Sequence, residues 1–159
     1  MNSVEKKIAN MNPRYHSNFQ ELIERFSQFG GGASDARYSK GKHFSSVYQF
    51  YVFAFFLGLR KNLDYVFTEG DSTSTFWELK NWKPDELVHN LLAHSIAETN
   101  FDMVGIQDFD DSEIEQEVKK LRMFIESKAN GAFTYIQDLL EGDQSLADDD
   151  RIMLNLLSH

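Results

Sequence analysis

The sequence predicts an all-α fold, a compact bundle of six or seven helices around one central hydrophobic helix, and three observations carry that expectation. Apolar residues recur at spacings of three and four along most of the chain, which is the signature of helices with one buried stripe. Residues 45–60 are apolar on nearly every side, so the helix they form must be enclosed by others. The chain has 159 residues, 42% of them hydrophobic and 26% charged, which suits a single domain with one core.

Taken in order, a short helix is expected over residues 3–10. Asn12 and Pro13 then make a helix start, with Asn as the cap and Pro at the first helical position. Tyr15, Phe19, Leu22, Ile23, Phe26 and Phe29 share one stripe of that helix, and Gly30 to Gly32 end it. Ser45 or Ser46 caps the central helix, whose C-terminal dipole Arg60 and Lys61 complement. Tyr65 to Phe67 read as a short extended piece among turn residues. A short helix carries Phe76, Trp77 and Leu79, and the two tryptophans, Trp77 and Trp82, suggest a tight packing site. Pro84 begins a helix that turns Leu87, Val88, Leu91, Leu92 and Ile96 inward. Ser112 and Glu115 have the spacing of a capping box for the next helix. That helix is expected to break or kink at Asn130 and Gly131, within "KANGAF", and to stop at Gly142. A terminal helix over 148–157 closes the core with Ile152, Met153, Leu154, Leu156 and Leu157. The single domain thus divides into a helix and glycine-rich basic loop (1–44), a core (45–142) and a C-terminal helix (143–159).

There is no cysteine, which excludes disulfides, thiolate nucleophiles and cysteine-ligated zinc. The N-terminus lacks the apolar segment of a signal peptide, and the most apolar stretch, residues 50–59, is about half the ~20 residues a membrane span needs. A cytoplasmic protein without a membrane partner is the expectation. Net charge is −9, divided as +3 over residues 1–70 and −12 over residues 71–159. That field disfavours broad attraction to a phosphate backbone and confines any nucleic-acid contact to the N-terminal part.

The most basic segment is "GGGASDARYSKGKHF" at 30–44. A phosphate-cradling loop needs G-x-x-x-x-G-K-[ST] after a strand. Gly41 and Lys42 fit, but Ala36 stands at the first glycine and His43 at the hydroxyl, so that chemistry is excluded. Arg37, Tyr38, Lys40, Lys42 and His43, with Arg60 and Lys61, are instead the candidate contacts for an anionic partner. Glu86 and His89 have the E-x-x-H spacing of carboxylate-bridged metal bundles, and the chain holds no second such pair. His94 and Glu98 read as a helix-surface pair. The carboxylates from Asp102 to Asp111 miss the calcium-loop pattern, because Glu113 occupies its glycine position. No catalytic residue, metal ligand or cofactor is assigned.

Four segments in order, "YVFAFFLGLRKN" at 51–62, "FWEL" at 76–79, "LLAHSIAET" at 91–99 and "FIESKANGAFTYIQDLLEG" at 124–142, carry a resemblance. They are similar to a small bacterial family encoded beside DNA phosphorothioation (Dnd) systems. Its members carry an apolar helix with a basic end, a "LAxAET" helix and a "xxYANGGLxxL" helix in the same order. The likeness spans about 45–142. It implies a non-enzymatic accessory of a DNA-modification or defence system, working through a protein partner, with Arg60 and Lys61 exposed at a packed helix end. A nucleic-acid-binding accessory using the 37–43 loop and a metal-dependent enzyme built on Glu86, His89, His94 and Glu98 are the alternatives. Self-association through Trp77, Trp82 or the C-terminal leucines is a further candidate interaction.

Overall fold

A computed structural model describes residues 3–27, 43–149 and 151–158. Among these residues six α-helices form: α1 (Ser3–Ala9), α2 (Gln20–Phe26), α3 (Val47–Lys61), α4 (Asp85–Thr99), α5 (Asp111–Gly142) and α6 (Ile152–Ser158). A two-stranded antiparallel ribbon accompanies them, with β1 (Arg14–His16) paired to β2 (Thr73–Thr75) and Tyr15 opposite Ser74. The architecture is therefore a mostly helical bundle.

As its composition requires, α3 is the enclosed helix. Phe50, Tyr51, Ala54, Phe55 and Leu57 have no exposed surface. Ser46 caps it through a 3.2 Å bond accepted from the Gln49 amide, and Asn62 ends it in the left-handed conformation at φ 54°. Its partner is α5, a helix of 32 residues. The two backbones meet so closely that a Cβ on Gly58 would lie 2.1 Å from the Lys128 carbonyl oxygen. One turn further, a Cβ on Gly131 would lie 3.0 Å from the backbone of Leu63 and Asp64.

This close approach corrects the expected break in α5. The helix runs through Asn130 and Gly131 without interruption, because the glycine there supplies clearance for a neighbouring backbone instead of ending a helix. Its N-terminus is also capped elsewhere. Asp110 accepts from the Glu113 amide at 2.8 Å, so Ser112 already lies inside the helix and Glu115 pairs with Lys7.

The helix expected from Pro13 is the largest difference. Residues 14–16 are extended, a 3-10 turn follows at Ser17–Phe19, and α2 begins only at Gln20. Within the described residues the inward stripe survives the change, since Tyr15, Phe19, Leu22, Ile23 and Phe26 are all buried, while Phe29 and Gly30 to Gly32 lie outside them. Thr73–Thr75, read as turn residues, form the strand that pairs with this segment, while residues 65–67 belong to no strand. A 3-10 turn at Leu79–Asn81 stands where a short helix over Phe76 to Leu79 was expected. Trp82 is fully buried there, stacked at 5.3 Å on Tyr48, whereas Trp77 is 63% exposed.

Beyond residues 28–42 the chain returns to the end of α2, where the Phe26 carbonyl accepts from both His43 and Phe44 amides at 2.8 and 2.9 Å. In α6, Ile152 and Leu156 are buried and Leu154 is exposed. No helix among the described residues is long and apolar enough to cross a membrane.

Gly58→Ala should destabilise the protein by about 2 kcal/mol or more, because the helix backbones must separate to admit the methyl. Gly142→Ala, where an added Cβ meets nothing, should stay within about 0.5 kcal/mol. Urea unfolding of both variants checks the pair.

Candidate functional site

The midpoint of α5 reads Glu126-Ser127-Lys128-Ala129-Asn130-Gly131, a polar run that in most helices would face water. Here Glu126, Lys128 and Asn130 are 1%, 6% and 0% exposed. Charges and amides withdrawn from water must find partners, and each of these does.

Glu126 takes the Arg14 side chain as a fork, with Nε at 3.0 Å from Oε2 and Nη2 at 3.2 Å from Oε1, and its Oε2 also accepts the Arg14 amide at 2.8 Å. The Arg14 guanidinium lies 4.8 Å from the Phe67 ring centre. The hydrogen bond to Glu126 raises the Arg14 pKa further. Asn130 grips the same strand: its Oδ1 accepts from the His16 amide at 2.9 Å, and its Nδ2 donates to the Arg14 carbonyl at 3.0 Å. The Tyr51 hydroxyl donates to that carbonyl too, at 2.7 Å, and burial pushes its pKa well above 10. Two side chains of α5 therefore supply partners for the backbone groups of Arg14 and His16, which lie in a strand and not in a helix.

On the next face Lys128 reaches the loop after α3. Its Nζ is 2.9 Å from Asp64 and 3.1 Å from the Asn62 side-chain oxygen. Ser127 accepts from the Tyr65 amide at 3.1 Å and donates to Asp64 at 3.3 Å. The Lys128 bond, the largest cause, holds the Asp64 carboxyl below its ordinary 3.8. This cluster is closed and its groups are engaged with one another, so its chemistry is that of a clasp.

The open features lie elsewhere. An apolar groove of about 300 Å³ runs between α1, the 3-10 turn at 79–81 and α4, floored by Ile8, Val88, Leu92 and Met103, with Asp85 and His89 at its rim. Trp77 precedes the groove residues Leu79 and Lys80 by two and three positions. Its carbonyl accepts from the buried Trp82 Nε1 at 2.7 Å, which fixes the backbone that presents the exposed indole.

Of the candidate anion contacts, Arg37, Tyr38, Lys40 and Lys42 lie outside the described residues. His43 is committed inward: its Nε2 donates to the Ala147 carbonyl at 2.8 Å and its ring meets Phe26 edge-on at 5.1 Å. Arg60 is exposed at the end of α3. Lys61 lies over the Tyr135 ring at 5.3 Å.

Glu86, His89, His94 and Glu98 are all exposed on α4, with the His94 ring edge-on to Phe56 at 5.0 Å. Among the described residues no group of three or more His, Cys, Asp or Glu is placed to hold a metal ion. Sequence reasoning missed Arg14, Glu126 and Asn130 as a cluster, because the partners are more than a hundred residues apart. The available signal was the coincidence of three polar residues with an otherwise continuous apolar phase along α5.

Comparison with protein-family models, curated proteins and solved structures finds no match for this chain.

Glu126→Gln should cost about 3 kcal/mol or more, since it leaves the Arg14 guanidinium without its counter-charge. Asp64 gives a pH test. Its folded pKa is lowered, so its stabilisation is present above 3.8 and is lost as pH falls through the depressed value. Urea midpoints taken from about pH 6 to about pH 2.5 should fall less for Asp64→Asn than for the unaltered protein.

Proposed function

We propose that the protein is a non-enzymatic accessory that works by holding another protein. The observation that carries this reading is Trp77, whose indole is 63% exposed on a backbone fixed by the Trp82 bond. A large side chain left in water on a rigid support loses little entropy when a partner covers it, and tryptophan is enriched among residues that dominate interface energies. The apolar groove beside Leu79 and Lys80 offers a concave surface close by in the chain.

The polar residues withdrawn from water support the same reading. Glu126, Lys128 and Asn130 are spent on backbone amides and internal pairs, which stiffens the platform and leaves them closed to substrate. The likeness to a family encoded beside DNA phosphorothioation systems suggests the setting, a bacterial DNA-modification or defence complex, with the contact made to a protein component of it. Direct DNA binding is disfavoured by the net charge of −12 over residues 71–159.

Affinity purification from native cells should recover a stoichiometric partner. Trp77→Ser should weaken that complex by about tenfold or more while changing the unfolding midpoint little, because the residue is 63% exposed. Absence of a stoichiometric partner, together with a hydrolytic or transfer activity in the pure protein, would overturn the proposal. Salt-sensitive DNA binding without a partner would replace it with the nucleic-acid reading.

A further inference from the structure

The apolar groove between α1 and α4 follows α4 for about three turns. Asp85, His89, Leu92 and Ile96 line it, and their spacings of four, three and four place them on one face of the helix. From the first of them to the last the helix rises about 16 Å. The core is served by other residues of α4, since Val88, Leu91 and Ser95 are the ones it buries. Leu92 and Ile96, with Met103 beyond the helix end, pack on the core only in part and keep apolar surface open to the groove. Ile8 and Ala9 of α1 face them.

The surroundings of this apolar channel are acidic. Residues 84–103 hold four carboxylates, Asp85, Glu86, Glu98 and Asp102, and neither Lys nor Arg. Glu5 adds another from the α1 wall. The lysines nearby are already paired: Lys80 lies 3.2 Å from Glu78, Lys83 lies 2.8 Å from Asp85, and Lys7 lies 3.0 Å from Glu115 of α5. Glu86, Glu98 and Asp102 make no ion pair among the described residues. With Glu78 included, six carboxylates of α1 and residues 78–103 stand against Lys6, Lys80 and Lys83, an excess of three negative charges.

We propose that this groove takes a basic amphipathic helix of the partner protein, an inference that rests on the accessory reading above. Side chains must do the recognising, because α1, the 3-10 turn and α4 form the walls and offer no strand edge to extend. A helix reads such a channel with apolar anchors at i, i+4 and i+7, which span about 10 Å and fit within the length of the groove. Its Lys and Arg residues flank those anchors, toward Glu86 at one end of α4 and toward Glu98 and Asp102 at the other. A second copy of this chain is the poorer occupant, since a net charge of −9 sets like charges against the same walls. An anionic membrane surface is repelled for the same reason.

The probe is a fluorescein-labelled Leu/Lys peptide of about 18 residues, patterned as an amphipathic helix and titrated with the full chain. Anisotropy should show saturable binding with a Kd of about 100 µM or tighter, weakening as salt is raised. A scrambled peptide of the same composition and a Leu/Glu peptide of the same pattern should each bind about tenfold more weakly or worse. Leu92→Asp should cost the Leu/Lys peptide about tenfold in affinity by removing an apolar contact. Glu86→Lys combined with Glu98→Lys should cost about fivefold or more. Both glutamates are exposed, so this variant keeps the test decisive should Leu92→Asp fail to fold. The proposal is overturned by no saturation at about 1 mM protein, by equal binding of either control peptide, or by unchanged affinity in the charge-reversed variant. Dimerisation of the protein that excludes the peptide would overturn it as well. A native partner recovered in full by both variants would remove this occupant and leave the accessory reading intact. Absence of peptide binding and of any native partner would remove the two together.

Discussion

Strand β1 is held to the bundle mainly by the side chains of one helix, with Tyr51 of α3 adding a bond to the Arg14 carbonyl. Glu126 and Asn130 lie four apart on α5, and between them they bind the amide and carbonyl of Arg14 and the amide of His16. Fixing those three backbone groups decides several other things. It prevents a helix at Pro13, sets Tyr15 inward against Phe76 at 4.8 Å, and aligns the segment that Thr73–Thr75 joins. A ribbon of two three-residue strands is marginal in water, and here it stands because a helix supports one of its strands.

The same stretch of α5 meets α3 through absence of bulk. Gly58 and Gly131 remove side chains where the Lys128 carbonyl and the Leu63–Asp64 backbone pass. Lys128 and Ser127 can then reach the loop beyond α3 and tie down Asn62, Asp64 and Tyr65. Long polar side chains and small residues alternate within these six residues because the helix has a neighbour on each side there. The middle of α5 is consequently enclosed almost all round, while its first turns keep an ordinary solvated face.

Much of the fold was legible. The enclosed helix, a cap at one of the two serines before it and the inward stripes of α2 and α4 follow from local spacing, which a single chain displays, whereas Leu154, expected to close the core from α6, faces solvent. Three features were hidden because their causes are remote. Arg14 and His16 become a strand through side chains of α5, Gly131 is a clearance position only when a second backbone is beside it, and Asp110 caps α5 two residues before Ser112. Candidate functional residues were less legible still. The basic loop drew attention by composition, yet its His43 packs inward on Phe26 and Ala147. The spacing of α4 turns Leu92 and Ile96 inward, yet both stay partly exposed as the lining of a groove beside α1.

The two tryptophans of the chain occupy opposite environments within five residues. Trp82 is sealed beneath Tyr48, Tyr51 and Phe76, with its indole nitrogen bonded to the Trp77 carbonyl. Trp77 stands in water. Their emission therefore separates into two signals: a shielded component that follows the integrity of the bundle, and a quencher-accessible one that follows whatever covers the surface. The molecule carries its own optical probe for each, and neither requires a label.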